Sequence, residues 1–214
     1  MTTVLNTIDS SLAANASLDG DLDLVMHLYH NGCPIDEETV LNACIVGNIP
    51  ILQWCLIHDI PFTTDCIETA AYNGHLPILL VFLAFGYNIT NADIVNNAAL
   101  GGHLSILKWC HTHSYPITQN VCKIAAKEGY LDIMEWGLSI GLPYDQSYVY
   151  RAARYGNLPT LKWLISQKYP FSTTTLRESS IRGFKKDGLQ ASLKWCVQEE
   201  YITQSDYTHI LLDV

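Results

Sequence analysis

The chain has 214 residues and a formal net charge of −9, from 12 Lys and Arg against 21 Asp and Glu. An acidic balance disfavours a general nucleic-acid binder, which is usually basic overall. Seven cysteines, an odd number with no Cys-x-x-Cys pair, argue against a disulfide framework and favour a reduced, intracellular (cytoplasmic) setting.

Met1 to Ser10 lack a basic segment and a sustained apolar run, so they do not read as a signal peptide. Residues 1–19 are expected to form an N-terminal cap, with only the weak stripe Ala13, Ala16 and Ser17. From there a single pattern recurs. Turn glycines stand at Gly20, Gly47, Gly74, Gly102, Gly129, Gly156 and Gly183, spaced by 27 or 28 residues. A fixed period in this range signals a solenoid, here one elongated domain over residues 1–214.

Each unit reads as two helices. Small or apolar residues fall seven, four and three positions before the glycine, as in Val40, Ala43, Cys44 and in Val149, Ala152, Ala153. That spacing lays one buried stripe along a short first helix. The glycine then suits a left-handed C-terminal cap. Pro50, Pro77 and Pro159 open second helices, where a missing N–H costs nothing. Trp54, Trp109, Trp136, Trp163 and Trp195 share one site in the second helix, which predicts a packing ladder in its apolar stripe. Pro34, Pro61, Pro116, Pro143 and Pro170 close the units. No unit can bury its own faces, so neighbours must supply the core.

Ala-Ala-x-x-Gly-His-Leu, seen at Ala70–Leu76 and, with one glycine doubled, at Ala98–Leu104, resembles the helix–turn–helix half of the ankyrin repeat. The units are shorter than the ~33 residues of that repeat and lack its Thr-Pro-Leu-His turn. They look like the short-unit ankyrin proteins of amoeba-infecting giant viruses and some protists, which would place a viral member in host cytoplasm. The resemblance implies an all-α solenoid of seven repeats with shortened or absent β-hairpin fingers. It also implies an adaptor whose concave first-helix face binds another protein.

The third unit departs in its second helix, where Ile78–Phe85 is apolar all round. Ile57, Leu80 and Ala84 are candidates for an exposed oligomer patch on the outer face. The seventh unit carries Ser179-Ser180 in place of alanines and an insertion, Phe184–Gly188, so 184–214 reads as an irregular C-terminal cap.

Charge is split along the chain. Met1 to Leu107 holds eleven acids and no Lys or Arg, whereas Lys108 to Lys186 holds eleven bases and five acids. Lys123, Lys127, Arg151, Arg154, Arg177 and Arg182 lie on first helices, off the alanine stripe, and predict a basic ladder. Tyr72, Asn73, Asn97, Glu128 and Tyr155 are expected beside it. Such a ladder would hold an acidic segment of a partner protein. Nucleic acid or anionic lipid is the alternative ligand, and self-association through the Leu80 patch is a further one.

Catalytic signatures are absent: no phosphate-cradling glycine loop, nucleophile elbow or HExxH helix occurs. Cys110-His111-Thr112-His113 is the only dense group of potential ligands, and its side chains diverge on a helix. The expectation is a non-enzymatic scaffold with no cofactor and no metal.

Overall fold

The computed structural model describes residues 10–90, 93–181, 189–205 and 208, and among them are fourteen α-helices and no strand. The chain falls into two compact units, Met1–Tyr115 and Pro116–Val214. The first contains α1 (Ser11–Asp19), α2 (Leu22–His30), α3 (Glu37–Val46), α4 (Ile49–Ile57), α5 (Thr64–Tyr72), α6 (Leu76–Ala84), α7 (Ile94–Gly101) and α8 (Leu104–Thr112). The second contains α9 (Asn120–Glu128), α10 (Leu131–Ser139), α11 (Ser147–Arg154), α12 (Leu158–Ser166), α13 (Thr173–Ile181) and α14 (Leu189–Gln198).

Packing follows chain order within each unit. In the first, α1, α3, α5 and α7 pack side by side, and α2, α4 and α6 form a second row. In the second, α9, α11 and α13 form one row and α10, α12 and α14 the other. This is the arrangement of a helical repeat, with first helices against first helices and second against second. Gly183, Arg182 and the insertion Phe184–Gly188 lie outside the described residues, as do 1–9 and most of the C-terminal stretch.

Local chemistry explains the helix ends. Gly20, Gly47, Gly102 and Gly129 are left-handed C-caps. Asp21, Asn48 and Asp93 cap helix starts by accepting from Leu24, Ile51 and Asn96 backbone N–H groups. Pro50, Pro77 and Pro159 occupy the first turns of α4, α6 and α12.

The core differs from the sequence reading at two repeat positions. The expected first-helix stripe is buried, but so is the residue eight before five of the seven glycines: Thr39, Cys66, Ile94, Val121 and Tyr148. No shared residue type marks that position, so periodicity alone did not reveal it. Four of the five tryptophans are displaced from the centre. Trp54 is 8% exposed, while Trp109, Trp136, Trp163 and Trp195 are only half-buried. Their successors Cys55, Cys110, Leu164 and Cys196 are fully buried instead. Two of the indoles pack on the closing turn: Trp54 stacks on His58 at 4.2 Å and Trp109 on His113 at 4.5 Å. Both imidazoles donate through Nδ1 to the carbonyl of the same tryptophan.

Candidate functional site

Five basic residues of the second unit belong to one row of helices, while Lys162 and Lys194 belong to the other. Lys123 and Lys127 belong to α9, Arg151 and Arg154 to α11, and Arg177 to α13. The side-by-side packing of these helices brings the residues into one neighbourhood.

Their surroundings are unequal. Lys123 pairs with Asp145, just before α11, with Nζ and Oδ2 3.8 Å apart. The Ser147 N–H donates to Asp145 at 2.8 Å. That bond, with the Lys123 and Arg151 charges, holds the Asp145 carboxyl below its ordinary pKa. Lys127 pairs with Glu128 at 2.8 Å, and its ammonium lies 5.5 Å from the centre of the Tyr155 ring. Glu128 raises the Lys127 pKa. Arg151 is half-buried, and its Nε–H has no acceptor among the described residues. Arg154 and Arg177 are exposed. Thus the row is basic but partly neutralised from within, and Arg154 stands out towards solvent.

Beside this row lies an aromatic notch of about 480 Å³, lined by Tyr144, Gln146, Pro170, Phe171 and Ser172. It opens between the starts of α11 and α13. Tyr144 stacks on Tyr169 with ring centres 4.1 Å apart and planes within 8°, and its hydroxyl donates to the Pro170 carbonyl. Burial pushes the Tyr144 phenol up to about 12. The Tyr150 hydroxyl donates to Gln146 Oε1 and accepts from the Ser172 N–H, which ties the two helix starts together. Sequence reasoning missed this feature. Its signal was available in the aromatic residues bordering the unit-closing prolines, Tyr144, Tyr169 and Phe171.

The remaining expected residues belong to the first unit. Tyr72 is 51% exposed at the end of α5. Asn73 caps that helix, donating through Nδ2 to the Thr69 carbonyl. Asn97 donates to the Asp93 carbonyl at 2.9 Å and to Glu68 at 3.4 Å. Tyr72 and Asn97 line an open groove of about 350 Å³ with Leu41, Asp65, Glu68 and Thr69. That groove is acidic, so its electrostatic character is opposite to that of the α9–α11–α13 row.

On the second helices of the first unit, Ile57 is 66% exposed and Leu80 43% exposed, and Ala84 is exposed as well. They belong to α4 and α6, which pack together. Leu83 and Phe85 are exposed as well.

Among the described residues, no group of three or more His, Cys, Asp or Glu is arranged to hold a metal ion. In the Cys110–His113 stretch, Cys110 is fully buried while His111 and His113 are exposed. No helix among the described residues is long and apolar enough to cross a membrane. No family model matches the chain, and no curated protein matches it.

Proposed function

We propose that this protein is a non-enzymatic ankyrin-type scaffold whose first-helix row α9, α11 and α13 binds an acidic segment of a partner protein. The observation that carries the reading is the adjacency of these helices, which gathers Lys123, Lys127, Arg151, Arg154 and Arg177 in one unit. Arginine forks match carboxylates in two-point hydrogen bonds, and Tyr155 adds rigid contact area. Lys123 and Lys127 already hold acids of their own, so Arg151 and Arg154 carry most of the recognition. Tyr72 and Asn97 line an acidic groove and Asn73 spends its amide on the Thr69 carbonyl, so none of the three is assigned to this site.

Arg151→Glu combined with Arg154→Glu is expected to weaken capture of the partner at least tenfold, about 1.4 kcal/mol. The measurement is a pull-down followed by titration of the captured protein. Unchanged affinity would sink the reading. Nucleic acid or anionic lipid as the ligand would instead give a steep linear fall of log affinity with log salt.

A second reading rests on a different observation, the exposed apolar surface of Ile57, Leu80 and Ala84. Exposed apolar side chains on neighbouring helices suit association with a second copy.

A further inference from the structure

We infer that the notch formed by Tyr144, Pro170 and Phe171 holds one aromatic side chain of the acidic segment, and so supplies the specificity that the basic row lacks. This rests on the acidic-segment reading above and adds the partner's second recognition element.

Three observations support it. The notch is walled by aromatic rings and a proline, with the Tyr144–Tyr169 stack behind it. Aromatic rings associate favourably in stacked and edge-to-face geometries, so an aromatic residue fits this lining better than an aliphatic or polar one. The notch is also preformed, because Tyr150 bridges Gln146 and Ser172 and the Tyr144 hydroxyl is tied to Pro170. A rigid pocket spends little ordering entropy on binding. Finally, the notch adjoins the start of α11, the helix that carries Arg151 and Arg154, and Gln146 is its N-cap. Five residues separate Gln146 from Arg151 and eight separate it from Arg154, which at ~1.5 Å per residue is ~7.5 and ~12 Å along the helix. An extended segment advances ~3.3 Å per residue. Its acids should therefore stand two to four residues from its aromatic side chain. Charge complementarity selects the acids, and the notch selects the aromatic residue and its spacing.

The experiment is selection of a random 12-residue peptide library displayed on phage against three forms of the full chain. These are the parent, Gln146→Trp, which fills the notch from an exposed position, and Tyr144→Ala, which empties its wall. Circular dichroism melts verify folding of each. The parent is expected to enrich acidic peptides carrying an aromatic residue two to four positions from the acids, at least threefold over input. Gln146→Trp should keep the acidic preference and lose the aromatic one, and a folded Tyr144→Ala should do the same. Acidic peptides without aromatic enrichment would overturn the notch assignment and leave the basic-row reading standing. An aromatic preference that survives in Gln146→Trp would overturn the assignment too. Absence of acidic enrichment would overturn both. So would tight, salt-sensitive binding of a 12-nucleotide oligothymidine by a parent that selects no acidic peptide.

Discussion

His103 Nε2 donates to the backbone carbonyl of Tyr72, 31 residues earlier, at 2.8 Å. The bond joins the turn of one helix pair to the end of the preceding first helix. His75 makes the equivalent bond to the Ile45 carbonyl at 3.0 Å, and Asn157 donates to the carbonyls of Ala126 and Lys127. One turn position thus serves as a staple between successive pairs, satisfying carbonyls that a helix end leaves without an internal partner.

Loss of the staple should be felt as stability. His103→Ala is expected to cost about 1–2 kcal/mol, because it removes a hydrogen bond and leaves the Tyr72 carbonyl unpaired. His103→Asn should recover part of that loss, since asparagine performs the role at Asn157. Denaturant titration of both variants checks the ranking. Equal losses in the two would mean that ring packing, not the hydrogen bond, is responsible.

Gly101 presents the same contact from the other side. A Cβ on this residue would collide with the Tyr72 carbonyl oxygen and crowd the His103 ring. Glycine-to-alanine exchange in a helix ordinarily gains up to ~1 kcal/mol. Here Gly101→Ala is expected to destabilise by about 1–3 kcal/mol, as overpacked sites do. A raised melting temperature would contradict this account of the doubled glycine.

Alkaline pH should unfold the protein cooperatively. Burial pushes the thiols of Cys55, Cys110 and Cys196 up to about 12 and that of Cys122 up to about 11, from an ordinary 9.0. A raised acid pKa means that the folded state keeps protons which the unfolded chain releases. The stabilisation is therefore complete below pH 9 and is lost as pH climbs towards the folded values. Four such groups give a slope of up to about 5 kcal/mol per pH unit above 9. Thermal melts at pH 8, 9 and 10 should show a smaller fall over the first step than over the second. Cys110→Ala and Cys122→Ala together should flatten that fall.

Leu80→Lys tests the outer apolar surface. The side chain is exposed, so the substitution should shift stability by no more than ~0.5 kcal/mol. Light scattering is expected to report a dimer for the parent and a monomer for the variant. A monomeric parent would remove self-association as a role for this patch.

The helices and their order were legible in the sequence because local chemistry sets them. A glycine that tolerates positive φ ends a helix, a proline opens the next, and alanines or cysteines at short spacings make one face apolar. These choices depend on residues a few positions apart, so a single chain with an accurate repeat displays them several times over. Only the tertiary structure decided where the tryptophans sit, because the indole at the edge of the stripe is placed by His58 or His113 and by the closing turn. It also decided that Thr39 and Tyr148 share a buried position, since unlike side chains can fill one site when their neighbours complement them. The candidate site was half legible. The basic residues and their helices could be read, whereas the Lys123–Asp145 pair, the Tyr144–Tyr169 stack and the separation of Tyr72 and Asn97 into an acidic groove could not. Each of those is a contact between segments 22 to 29 residues apart, and its register is set by how one helix pair settles on the next.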